Sequence, residues 1–260
     1  ARTGVMVSSL DSGAMIFAHN PDELLNPASN VKLYTAAVAL ARLGPEFRFE
    51  TEFHVDNNPA PGGIVHGSIY ARGKGDPSMV TEKLWVIASE IANRNVRVIR
   101  GDIVIDDSYF DNEREGPGYD QERGDRSYLA PAGAVSLNYN SVQVHVMPGE
   151  KMGAKGRVAI EPQSDFFILE NRTLTVAKNG KRRVVPSSIA LEGKQKIVVN
   201  GRLPYGSRAQ TFYRKIDDPP LYFGYSLKKL LELRGVRITG KVRRGTVPKD
   251  AKLLWVHESA

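Results

Sequence analysis

The segment from Pro27 to Pro45 constrains the fold most. Residues 30–43 are rich in Ala and Leu, and Val31, Tyr34, Ala37, Val38 and Ala41 recur at helical spacing. Pro27 lies just before this stretch and Gly44-Pro45 closes it, so a helix is expected over 30–43. Ser29 then sits at the helix N-terminus, and Lys32 comes up one turn later on the same face. A serine hydroxyl is a weak nucleophile until a nearby base takes its proton. A lysine amine can be that base when burial or neighbouring positive charge leaves part of it neutral. The free N–H groups of a helix N-terminus also favour developing negative charge.

Spacing alone does not single this pair out. A second Ser-x-x-Lys occurs at Ser226-Leu-Lys-Lys229, inside an amphipathic stretch whose Leu227, Leu230, Leu231 and Leu233 face a core. There Lys229 reads as a solvated residue. The surroundings of Ser29 are more telling. Gly4–Ala18 reads as two strands around an Asp11-Ser-Gly13 turn, and a loop over Asn20–Pro27 leads into the Ser29 helix.

The 260 residues suffice for one large domain or two smaller ones. Cysteine is absent, which excludes disulfides, thiol catalysis and Cys-based zinc sites. No apolar run reaches the length of a membrane span, and no signal-peptide pattern opens the chain. The net charge of +7 favours anionic partners. No nucleic-acid motif accompanies it, so an anionic wall polymer or membrane surface is preferred to nucleic acid.

Strands are expected at Thr51–Asp56, Gly63–Arg72 and Val96–Asp106, with a helix over Thr81–Asn93 carrying Leu84, Ile87, Ala88 and Ile91 on one face. Residues 112–126 read as an exposed loop. Further strands are expected at Ser141–Met147, Gly156–Glu161, Leu174–Ala177, Arg183–Ile189 and Lys196–Val199. A helix returns over Leu221–Arg234, and a strand over Leu253–Val256. The five histidines are scattered without metal-ligand spacing. Gly73-Lys-Gly-Asp-Pro77 lacks the full phosphate-loop spacing and reads as a tight turn.

The order of these elements resembles the penicillin-recognising serine enzymes. In detail it resembles the low-molecular-mass class C penicillin-binding proteins, the D-Ala-D-Ala carboxypeptidase/endopeptidase family (peptidase family S13). Gly73–Pro77, Ala130–Asn140, Asp217-Asp-Pro-Pro220, Leu233–Gly240 and Val256-His-Glu-Ser259 fit that family in order along essentially the whole chain. The resemblance implies an α+β fold of the β-lactamase/transpeptidase type, an antiparallel sheet with flanking helices, interrupted by a β-rich insertion. It implies a penicillin-binding domain formed by 1–52 and 217–260, with the insertion at 53–216. Ser29 would be the nucleophile and Lys32 its base, with no metal or organic cofactor. Peptidoglycan stem peptides and β-lactam antibiotics would be partners, and the location periplasmic or extracytoplasmic.

Two motifs need placing within that resemblance. Ser136-Leu-Asn138 has the form of the family's second catalytic box, but the family has a similar stretch inside its insertion, so it reads as a decoy. Asp120 and Asp125 fall where the resemblance would put a carboxylate for the substrate's side-chain amine; solvated loop charge is the preferred reading. The family's second box and its Lys-Thr/Ser-Gly box would follow the stretch matching Val256–Ser259. Neither Lys-Thr-Gly nor Lys-Ser-Gly occurs in the chain. The chain is therefore expected to be a piece trimmed at both ends, open at the Ser29 face and unable to complete the reaction alone. A non-catalytic peptidoglycan-binding protein of the same fold is the alternative; a serine β-lactamase is disfavoured by the size of the insertion.

Overall fold

A computed structural model describes residues 2–116 and 124–259. The chain divides into two compact units, Ala1–Phe47 and Arg48–Ala260.

In the first unit, β1 (Val5–Ser8) and β2 (Met15–His19) pair antiparallel around the Asp11–Gly13 turn. A single 3-10 turn, Ala28–Asn30, then feeds α1 (Val31–Leu43). Gly44, at φ +81°, ends the helix, and its N–H donates to the Leu40 carbonyl. That conformation suits glycine, which has no Cβ to clash. No residue of α1 is buried; Val31, Tyr34 and Val38 are all exposed.

The second unit is built on a five-stranded mixed sheet in the order β15-β7-β5-β3-β16. Its members are β3 (Glu50–Val55), β5 (Ile69–Gly73), β7 (Ile103–Asp106), β15 (Val242–Arg244) and β16 (Lys252–Glu258). β15, β7 and β5 run parallel, and β3 is antiparallel to both β5 and β16. The sheet is therefore not purely antiparallel. Two helices cover it. α2 (Thr81–Asn93) buries Leu84, Ile87, Ala88 and Ile91, the i, i+3, i+4, i+7 stripe of an amphipathic helix. α3 (Pro219–Leu233) starts at Asp218, whose carboxylate accepts the Leu221 N–H at 3.0 Å, with prolines in its first turn. Tyr222, Phe223, Leu227 and Leu231 of α3 join Phe53, Val55, Ile69 and Ile105 in one core. Segments from both sides of residue 216 thus share this sheet.

Two expected strands are each divided. Gly63–Arg72 becomes β4 (Ile64–Val65) and β5, and Val96–Asp106 becomes β6 (Val98–Ile99) and β7. β4 and β6 pair with β14 (Arg237–Ile238) in a separate small sheet. Gly67 makes the first break: at φ +136° its Cα packs so closely on Asp56 that a Cβ would lie 2.3 Å from the carboxylate.

The remaining strands form two three-stranded sheets. One is β13-β8-β9, from β8 (Ser141–Met147), β9 (Arg157–Glu161) and β13 (Gln210–Lys215). The other is β10-β12-β11, from β10 (Phe167–Val176), β11 (Arg183–Leu191) and β12 (Lys194–Pro204), with β10 and β12 parallel. The strands of this second sheet are longer than the sequence pattern suggests, because exposed and half-buried residues interrupt the two-residue alternation of burial along β10, β11 and β12.

Candidate active site

The local chemistry of Asn26-Pro27 sets the position of Ser29. The Asn26 side-chain oxygen accepts the Ala28 N–H at 2.9 Å, an Asx-type turn. Ala28 follows at φ +44°, a left-handed conformation for a residue with a Cβ. Such a backbone costs on the order of 1–2 kcal/mol and is held only where its surroundings demand it. The chain then enters the 3-10 turn and α1. In this setting the Lys32 ammonium nitrogen donates to Ser29 Oγ at 2.9 Å. Both side chains are exposed. Sequence reasoning anticipated this contact from the i, i+3 spacing. It missed the strained Ala28, for which the Asn-Pro pair was the available signal.

The helix begins at Val31 rather than at residue 30, so Ser29 lies in the turn before it. The hydroxyl is thereby placed at the free N–H end of α1, where negative charge is favoured.

The second Ser-x-x-Lys behaves differently. Ser226 is buried on α3 and its hydroxyl has no partner among the described residues. Its neighbour Lys228 pairs instead with Glu232, one turn on.

Ser136-Leu-Asn138 lies in the second unit and serves the fold. The Asn138 side-chain oxygen accepts the Thr81 N–H at 2.9 Å, capping α2 from a distant part of the chain. Its amide nitrogen donates to Thr81 Oγ1 at 2.8 Å and to the Tyr222 hydroxyl at 3.2 Å. Burial pushes the Tyr222 hydroxyl far above its ordinary pKa, so it remains a neutral partner. Asn138, Tyr139 and Asn140 all adopt positive φ, at 49°, 57° and 51°. Asn tolerates this region better than other residues with a side chain, because its short amide bonds locally. Asn140 donates to the Pro131 carbonyl and to Ser136 Oγ, holding the turn from within.

Gly73–Pro77 is not the tight turn expected: Gly73 ends β5, the Gly75 N–H donates to the Ala134 carbonyl at 2.8 Å, and the chain turns only at Pro77-Ser78. Lys74 is committed to Glu50 and Glu52, at 2.6 Å each. Those hydrogen bonds raise its pKa, leaving no free cation for a phosphate. Burial alone would raise the pKa of Glu52, but hydrogen bonds from Lys74 and His54 outweigh it and hold the carboxyl low. Asp125 accepts the Ser188 N–H at 2.8 Å and pairs with Arg214 at 3.3 Å, which ties its loop to β11 and β13. It is an ion-paired anchor rather than a solvated charge. Asp120 lies outside the described residues. Among the described residues, no group of three His, Asp or Glu side chains forms a metal site.

The fold around these residues is that of a penicillin-binding protein. The chain superposes on the crystal structure of penicillin binding protein 4 (dacB) from Haemophilus influenzae with a TM-score of 0.78 at 21% identity, over 98% of this chain and 56% of that one. The crystal structure of that protein complexed with a novel β-lactam matches with a TM-score of 0.70 at 20% identity, over 98% and 54% of the two chains. The model of the D-Ala-D-Ala carboxypeptidase 3 (S13) family matches residues 1–260, and the chain belongs to that family. It is 33% identical over 269 residues to the D-alanyl-D-alanine carboxypeptidase of Actinomadura sp. strain R39, an alignment covering 100% of this chain and 49% of the relative. The chain spans about half the length of the relatives it matches.

Proposed function

We propose that Ser29 and Lys32 are the nucleophile and general base of a serine-type D-Ala-D-Ala carboxypeptidase/endopeptidase acting on peptidoglycan stem peptides. The observation that carries this reading is the 2.9 Å contact between the Lys32 amine and Ser29 Oγ, beside the strained Ala28 at the start of α1. Family membership supports the reaction class.

In this reading the Lys32 amine takes the Ser29 proton as Oγ attacks the carbonyl between two D-alanines. A tetrahedral oxyanion forms, stabilised in part by the Ser29 backbone N–H. The oxyanion collapses, the C–N bond breaks, and the departing D-alanine amine takes up the proton from Lys32. The stem peptide is left as an ester on Ser29. Water, deprotonated in turn by Lys32, then attacks the ester carbonyl; the acyl C–O bond breaks, Ser29 Oγ takes the proton back from Lys32, and the shortened peptide leaves as the free acid. A β-lactam would acylate the same hydroxyl, and the complex of a structural neighbour with a β-lactam supports that expectation. Such a substrate places the protein outside the cytoplasm, in the periplasm or at the cell wall.

The test is incubation of the full-length gene product with a fluorescent penicillin, followed by peptide mass spectrometry. Covalent label on Ser29, absent from Ser29→Ala, is expected. Label on another residue, or undiminished label on the variant, would overturn the assignment.

A further inference from the structure

The positive charge of the protein is concentrated in one place. Residues 151–210 hold 12 lysines and arginines but only 4 aspartates and glutamates, a net charge of +8 where the whole chain carries +7. The rest is close to neutral. This span forms β9 and the β10-β12-β11 sheet.

At one end of that sheet, between the 177–182 connection and β12, lies a cleft of about 640 Å³. It is lined by Val176, Gly180, Lys181, Arg183, Gly201 and Arg202: three cations and no acid. Arg183 and Arg202 stand directly opposite each other across β11 and β12. Like charges in that position repel and weaken a sheet. Gly201 makes the approach tight, because a Cβ there would lie 2.1 Å from the Arg183 carbonyl. Elsewhere on the same sheet, Arg172 and Lys196 share Glu170 as an ion-pair partner. Among the described residues, Lys181, Arg183 and Arg202 have no ion-pair partner.

We infer that this cleft binds a phosphate group of a soluble polyanion. Two guanidinium forks and one ammonium around a single concavity suit an anion of more than one charge and several acceptor oxygens, which phosphate supplies and a carboxylate does not. The further cations of the sheet extend the positive field along a chain of such groups. The site lies in the second unit and makes no use of Ser29 or Lys32.

The experiment measures binding of a short fluorescent polyphosphate to the full chain by anisotropy. The variants are Arg183→Gln/Arg202→Gln and, as a charge-matched control, Lys249→Gln/Lys252→Gln. The cleft variant is expected to bind about 30-fold more weakly, with affinity falling as salt rises. The control should change less than about threefold, since its charges lie elsewhere and are screened. Polyglutamate of equal length should bind at least about tenfold more weakly than polyphosphate, for want of doubly charged groups. Removing the facing arginines also removes a repulsion, so the thermal midpoint of the cleft variant should hold or rise by about 1–3 °C. That result separates lost binding from lost folding. Equal binding by wild type and cleft variant overturns the inference, as does an equal loss in the control or equal affinity for polyglutamate. Binding to phosphatidylglycerol vesicles with none to polyphosphate would also overturn it, making the face a membrane contact instead.

Discussion

Asn138 offers a sharp test, because its motif and its contacts assign it different roles. As part of a Ser-x-Asn motif it resembles a catalytic box, whereas its hydrogen bonds make it the cap of α2. Replacing it by alanine removes three contacts: from the Thr81 N–H, to Thr81 Oγ1 and to the Tyr222 hydroxyl. Loss of a helix cap costs about 1 kcal/mol. Alanine at φ +49° adds about 1 kcal/mol of backbone strain that asparagine bears more easily. The Tyr222 hydroxyl keeps its own bond to the Ser141 carbonyl at 3.3 Å, so it is not orphaned and adds little. The sum is about 2–3 kcal/mol, a fall of roughly 5–10 °C in thermal midpoint for a unit of this size. Asn138→Gly relieves the strain while still losing the amide, so it should recover about 1 kcal/mol of the loss. Urea unfolding of the chain, read by circular dichroism, measures both variants. A loss below about 0.5 kcal/mol for Asn138→Ala would refute the capping argument. Loss of penicillin labelling in a variant of unchanged stability would refute the structural role.

Other perturbations have equally definite outcomes. Lys32→Arg keeps the charge but cannot give up its proton, so penicillin labelling of the full-length gene product should disappear while its circular dichroism spectrum stays intact. Gly224→Ala would ordinarily stabilise a helix by about 1 kcal/mol. Here the new Cβ would lie 2.5 Å from Val242 and 2.8 Å from Ile105, so overpacking should win and destabilise by about 1–3 kcal/mol in urea melts. Burial alone would raise the pKa of Asp106, but hydrogen bonds from Ser108 and the Val247 N–H outweigh it and hold the carboxyl low. The folded state therefore binds this proton less readily than the unfolded one. Its contribution is full above the unfolded value near pH 4 and is lost as pH falls through the folded value. Asp106→Asn should flatten that acid limb of a stability–pH curve. Burial likewise lowers the pKa of His257, so the unfolded state protonates first as pH drops below about 6.5. Stability should decline as pH falls from neutrality through the unfolded value, and His257→Gln should remove that decline.

Much of the fold was legible in one dimension because short-range rules set it. α2 was readable to the residue because its apolar positions recur at helical spacing; α3 was readable as a helix over 221–234 but begins two residues earlier, at Pro219, where Asp218 caps it. The Ser29–Lys32 contact was readable too, since i, i+3 proximity is a property of one helical turn. The division of residues 63–72 and 96–106 was not. Gly67 looks like any glycine in a strand until the close approach of Asp56 shows why the backbone must turn there. β13, β14 and β15 went unseen because they are short or carry polar residues on both faces; only their partner strands define them.

The assignment of roles to look-alike motifs divides along the same line. The family resemblance, the existence of three helices and the chemistry available to Ser29 and Lys32 could be read in one dimension, because each rests on residues near in the chain. That Asn138 caps a helix 57 residues away, that Ser226 is buried without its lysine, and that Lys74 is neutralised by Glu50 and Glu52 emerges from the folded chain alone. The facing of Arg183 and Arg202 belongs there too, since strand register sets it. A motif states which atoms are available. Which of them meet depends on the pairing of strands and the packing of helices, and those are set by burial and hydrogen bonding over the whole chain.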